Sequence, residues 1–136
     1  MSYENMSYEN RDMIDLGNYN KKFDIVYMSS VIEHSPDLRK TFSEISRVAN
    51  SFYINMFKWK FKTGGVISRY HSKSKHYSTY FNIEELMSLL KEFGSIEQSF
   101  ISGKSSGVWD FNNEYKNKFE DINRNGKFLT LIGSFK

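Results

Sequence analysis

The 136-residue chain has no cysteine and a single proline. Without thiols there is no disulfide, no cysteine-ligated zinc and no thiol nucleophile, so the fold must hold by packing alone. Long apolar runs are missing too: none approaches the roughly 20 residues that a membrane-spanning helix needs. The N-terminus is polar, whereas an export signal would place a basic segment before an apolar one. A cytoplasmic protein with no membrane segment is expected. Neither sign of charge dominates, since 19 Lys and Arg against 16 Asp and Glu leave +3. That surplus is too small for a domain built around phosphate neutralisation, so nucleic acid is not an expected partner. Alanine and leucine are scarce. The core must come from aromatics, and 12 Phe, 9 Tyr and 2 Trp supply them. The length suits one domain.

The opening "MSYENMSYEN" is a five-residue direct repeat, too short for a solenoid unit and expected to be poorly ordered. Residues 11–22 carry the Gly, Asn and Asp of a connecting loop. "FDIVYM" (23–28) is β-branched and aromatic and almost wholly apolar, as in a strand covered on both faces of a parallel sheet. Ser35, Pro36 and Asp37 read as a helix start, with Ser35 as the capping hydroxyl. Leu38, Phe42, Ile45, Val48 and Ala49 then mark one buried helical face ending near Ala49. "SFYINMF" (51–57) is the next strand, and strand, helix, strand implies a right-handed parallel crossover.

The stretch from Lys58 to Phe81 is long, basic and aromatic, and reads as a loop with room for a short helix. Asn82 with Glu85 forms a capping-box start. Leu86, Leu89, Leu90 and Phe93 share a face, and Gly94 stops the helix. "SIEQSFI" (95–101) and "FLTLIGSF" (128–135) read as strands. Between them lies a polar excursion with a short helix expected near 114–121.

These pieces, in this order, resemble the C-terminal two thirds of a class I S-adenosylmethionine-dependent methyltransferase. The resemblance rests on Phe23, Asp24 and Val26 of an "FDxV" strand; on Glu33 and His34 after it; on Arg47 and Val48 ending a helix; and on "TYFNIEELMSLLKEFG" (79–94). "DMIDL" (12–16) resembles the family's adenine-side loop. The fold implied is α/β, a Rossmann-like three-layer methyltransferase fold truncated at the N-terminus, with the last strand antiparallel and inserted between the two before it. Residues 1–136 would form a single partial methyltransferase-like domain with 58–81 as a substrate-side insertion.

The resemblance implies S-adenosylmethionine as cofactor and a small-molecule acceptor. It implies adenine contacts from Asp12 and Met13, and a loop of Met28, Ser29 and Ser30 along the sulfonium and ribose side. Glu33 would orient the loop's amides, and His34 would face the acceptor. His76, with His71, lies in the segment that covers acceptors in this family, so His34 and His76 are the candidate catalytic residues. Plainer readings stand beside these. Asp12 would make an Asx-turn over a buried Met13, and His34 would be a helix-start residue bonded to backbone. Three histidines in this spacing do not suggest a metal.

"FKWKFK" (57–62) alternates aromatic and Lys, as in a strand that stacks bases or, more plainly, an amphipathic strand end. "GKSSG" (103–107) has Gln98 where a phosphate loop needs Gly. The family's glycine-rich first turn and ribose-binding carboxylate find no match in the 22 residues before Phe23. A fragment, a degenerate relative kept as a binding module gripping an anion through Lys58 to Lys75, and one half of a split enzyme all accommodate this. In each case strand 23–28 loses a neighbour, and self-association or a partner chain along that edge is expected.

Overall fold

The computed structural model describes residues 5–21, 23–56, 59–60, 67–73, 75–103, 107–110 and 127–136. Strand β1 (Phe23–Ser29) leads through a single 3-10 turn (Ile32–His34) to α1 (Leu38–Val48), which returns as β2 (Ala49–Met56). Next come β3 (Trp59–Lys60), β4 (Ile67–His71), β5 (His76–Asn82), α2 (Ile83–Phe93), β6 (Gly94–Gly103), β7 (Gly107–Asp110) and β8 (Lys127–Phe135). The main sheet runs β1-β2-β8-β6-β7, and β3-β5-β4 form a second sheet. β1 and β2 are parallel, while β8 is antiparallel to both β2 and β6 and lies between them. The expected insertion of the last strand is therefore observed, and the fold is α/β and Rossmann-like.

Alternation along the strands decides which face is filled. Val26 and Met28 share a face with Phe52, Ile54 and Met56 of β2 and with Leu129 and Leu131 of β8. Phe42 and Ile45 of α1 and Leu86 and Leu90 of α2 close over that face in one cluster. Full burial of each such side chain is worth about 1.5–3 kcal/mol. Among the described residues both helices cover this same face. The opposite face carries Tyr27 stacked on Tyr53, ring centroids 4.9 Å apart, with Phe23 and Ile25 beside them.

Two helix boundaries differ from expectation. Asp37, not Ser35, caps α1, its Oδ1 accepting from Lys40 N at 3.0 Å. Ser35 belongs to the end of the 3-10 turn, and its buried hydroxyl lies 2.7 Å from Thr41 Oγ1 instead. Asn82 caps α2 as expected, accepting from Glu85 N. Gly94 does end the helix, but in extended conformation at φ −171 and not as a left-handed cap. Its requirement is space, because a Cβ there would stand 2.2 Å from Ser134 O.

The segment expected to be a loop with a helix instead holds β3, β4 and β5; the remainder of "FKWKFK" lies outside the described residues. β-branched and aromatic residues in 67–82 carried that signal, diluted by the lysines around the turn. The expected helix at 114–121 also lies outside the described residues, and Gly103 and Gly107 of "GKSSG" end β6 and begin β7. No described helix is long and apolar enough to cross a membrane.

Candidate cofactor and acceptor site

Because β1 and β2 are parallel, their C-terminal ends open on the same side, where open parallel sheets present their ligand crevice. Ser29, Ser30 and Asn55 meet there. Ser30 N donates to Asn55 O at 2.9 Å, and Ser30 adopts φ 52, a left-handed conformation that disfavours a side chain. That turn swings the chain out of the sheet and into the 3-10 turn. His34 N donates to Val31 O at 3.0 Å and Ser35 N to Ile32 O at 3.1 Å. Asn55 is itself fixed, its Nδ2 donating to Thr130 Oγ1 at 2.9 Å.

Within the turn Ile32 and Glu33 are fully buried and His34 is half-buried. Met28 is buried, Ser29 exposed and Ser30 half-buried. β5 packs against the turn, and β4 pairs with β5 as an antiparallel hairpin. His76 opens β5 directly opposite His71 in the hairpin register. The strand that His76 opens thus packs against the turn that His34 ends.

Asp12 and Met13 stand apart from this cluster in the loop before β1. Asp12 is exposed, and its Oδ1 accepts from Ile14 N at 3.1 Å, an Asx-turn closed by Asp15 N on Asp12 O at 2.9 Å. Met13 is half-buried.

A clamp that the sequence reading did not anticipate ties this loop to α1. The Arg47 guanidinium donates to the carbonyls of Gly17 and Tyr19 and to both carboxylate oxygens of Glu44, while Glu44 accepts from Leu16 N at 2.8 Å. Lys21 adds Nζ bonds to Ser46 O and Ala49 O at 2.5 and 2.9 Å. The Arg47 guanidinium beside Glu44 holds its carboxyl below the usual range; partial burial opposes this and the Leu16 N–H adds to it. The i, i+3 spacing of Glu44 and Arg47 was the available signal.

Two open depressions lie elsewhere. One of about 410 Å³ runs between α1 and α2, lined by Leu38, Arg39 and Glu92 among others. One of about 400 Å³ follows β1, lined by Glu9, Arg11, Tyr19, Phe23, Ile25 and Tyr27 among others. Met28, Ser29, Ser30, Glu33 and His34 line neither of them. Among the described residues no three His, Asp or Glu gather to hold a metal.

Residues 2–51 match the family model described as a methyltransferase domain. No curated protein matches. Similar solved structures include an S-adenosylmethionine-dependent methyltransferase of Methanosarcina mazei, with a TM-score of 0.60 and 12% identity over 92% of this chain. The fold is that of the class I methyltransferases. A second with this methyltransferase fold is the 1,6-didemethyltoxoflavin-N1-methyltransferase of Burkholderia thailandensis, bound to 1,6-didemethyltoxoflavin and S-adenosylhomocysteine. It has a TM-score of 0.59 and 14% identity over 91% of this chain. A third, from a complex containing the Haloferax volcanii Trm112 methyltransferase activator, has a TM-score of 0.64 and 13% identity over 99% of this chain. The chain spans 65%, 48% and 64% of those three chains, respectively.

Proposed function

We propose that this chain, a single partial methyltransferase-like domain, serves S-adenosylmethionine-dependent methyl transfer to a small acceptor. The observation carrying this reading is the left-handed Ser30 at the mouth of two parallel strands, leading into a buried turn against which β5 packs. Strain of this kind is retained where a turn must be aimed.

The residues present fit one side of the cofactor. Half-buried Met13 offers apolar surface, Met28 packs in the core beneath the loop, and Ser29 and Asp12 offer exposed polar groups. The glycine-rich side is not matched: Gly17, left-handed at φ 80, has the Arg11 guanidinium carbon 3.2 Å from where a Cβ would stand, so its turn is filled. When bound, the cofactor supplies an already activated methyl group, so the protein's contribution is alignment more than acid–base chemistry. In this reading Ser29 and Ser30 set the loop against the ribose side and buried Glu33 keeps the turn in shape. His34 and His76 orient the acceptor or take its proton.

Calorimetric titration of the folded chain with S-adenosylhomocysteine tests the proposal. The expected dissociation constant lies between about 10 µM and 1 mM, because only part of the cradle is built. Substituting exposed Asp12→Ala should weaken it severalfold with unchanged circular dichroism. Absence of binding at millimolar ligand would remove the cofactor from this chain, and an unaffected Asp12→Ala would remove the loop from the site.

A further inference from the structure

We infer that Arg47 is a positioning residue for cofactor binding, holding the turn at 12–17 in place from the C-terminal end of α1. The inference rests on the reading of Asp12 and Met13 as cofactor contacts. Residues 11–21 contain no strand or helix beyond the bridge of Asp12 with Asp15. The turn closes on itself: Ile14 N and Asp15 N both donate to Asp12, and Gly17 N donates to Asp15 Oδ1 at 3.2 Å. Helix α1 fixes this closed turn to the body of the protein.

The Arg47 guanidinium makes four bonds. Two meet the two oxygens of Glu44, at 3.0 and 2.7 Å, and the others reach Gly17 O at 2.6 Å and Tyr19 O. Glu44, held at both oxygens, accepts in turn from Leu16 N at 2.8 Å. Gly17 at φ 80 and Lys21 at φ 48 are both left-handed, a conformation that a residue with a side chain keeps only where its surroundings hold it. Lys21 is so held: its N donates to Arg47 O at 2.7 Å, and its Nζ caps the last turn of α1 at Ser46 O and Ala49 O. The Arg47 side chain is 36% exposed, so these bonds place a loop and do not fill the interior.

The N-terminal end of α1 is tied to the other side of the proposed cradle. Asp37 caps the helix, and buried Ser35, at the end of the 3-10 turn, lies 2.7 Å from Thr41 Oγ1. The helix has 11 residues. At about 1.5 Å each it is a strut of about 16 Å. It spaces the 12–17 turn from the turn of Glu33 and His34, so a ligand touching both meets them already in place. Preorganisation of this kind strengthens binding by removing an ordering cost from it. A guanidinium suits the task because a lysine ammonium cannot serve a carboxylate fork and two carbonyls in one plane.

Amide hydrogen exchange and calorimetry on the full chain test this. In Arg47→Gln, exchange at Asp15 and Leu16 should quicken about tenfold or more while amides of the β2–β8 ladder keep their protection. The dissociation constant for S-adenosylhomocysteine should rise about fivefold to tenfold. Arg47→Lys, which keeps the charge beside Glu44, should fall between Arg47→Gln and wild type, and it replaces Arg47→Gln if that variant loses its circular dichroism. A role in stability alone would leave losses additive. Acting through the loop, Arg47→Gln should instead absorb the effect of Asp12→Ala, which should weaken binding by less than about twofold in that background. Unchanged affinity in a variant whose Asp15 and Leu16 amides exchange faster overturns the inference and leaves the proposed function standing. So do unchanged exchange at those amides and additive losses in the double variant. A wild-type chain that does not bind at millimolar ligand overturns the proposed function and the part of Arg47 in it together.

Discussion

Substituting Gly133→Ala tests how tightly β8 is held between its neighbours. Gly133 pairs with Phe52 on one side and Ile96 on the other, beside the register shift of β6 between Ile96 and Gln98. A Cβ there would lie 1.9 Å from Ser95 O and 2.6 Å from Phe52 Cζ. Ordinary contact requires β6 to retreat by about 1 Å or more, because a ladder carbonyl cannot rotate away as a side chain can. Breaking two ladder hydrogen bonds costs about 1 kcal/mol each, and overpacking against a fully buried ring adds about 1–3 kcal/mol. The lower unfolded-state entropy of alanine returns about 0.4–1 kcal/mol. A net loss of about 2–4 kcal/mol follows, or roughly 6–14 °C in melting temperature for a chain of this size. Urea unfolding followed by circular dichroism measures it. Phe52→Leu in the same chain should not rescue the loss, since the closer clash is with backbone. A loss below about 0.5 kcal/mol, or rescue by Phe52→Leu, would show that β8 is not held as tightly as described.

Two further outcomes are accessible to the same assay. Glu44→Gln should cost about 1 kcal/mol at neutral pH, since the neutral amide still accepts from Leu16 N but loses the charged bond to Arg47. Glu44 has its carboxyl pKa lowered in the folded state, so its contribution is present above the unfolded value of about 4.3 and lost as pH falls through the folded value. The wild-type advantage over Glu44→Gln should therefore shrink below about pH 5; a difference constant down to pH 3 would contradict the clamp. Ser99→Ala should leave stability unchanged or raise it by up to about 1 kcal/mol, because Ser99 Oγ is buried with no hydrogen-bond partner among the described residues. A loss above 1 kcal/mol would reveal a partner.

What was legible in the sequence followed periodicity and local capping. Four of the five main-sheet strands and both helices were visible because Leu38, Phe42, Ile45 and Val48 share one helical face, and because 23–28 and 128–135 are dense in β-branched and aromatic residues. Asn82 declared the start of α2 through a side-chain bond that depends only on residues three apart. The cap of α1 was misplaced by two residues because Ser35 and Asp37 are both competent caps. Burial of Ser35 against Thr41, a tertiary fact, decided between them. The hairpin of β4 and β5 was missed because its pairing partner sits across a lysine-rich turn and its strands cover another element. At the candidate site, Ser29, Ser30, Glu33 and His34 could be named from their place after a strand. The left-handed backbone of Ser30 and the part played by Asn55 could not, since both follow from how β2 meets β1.

β1 holds the most informative disagreement between composition and place. "FDIVYM" has the composition of a strand covered on both faces, yet β1 sits at the margin of its sheet with Ile25 and Tyr27 open to solvent. Burial of Val26 and Met28 accounts for half of that apolarity, and the stacking of Tyr27 on Tyr53 for a little more. Nothing within the described chain accounts for Ile25, where a polar residue would keep the parallel ladder with β2 and cost no core contact. An apolar residue at such a point raises the solvation cost of the isolated chain by about 1 kcal/mol. That cost is recovered only where the edge is covered, so the residue at position 25 is explained by whatever segment pairs with this edge and not by contacts among the described residues.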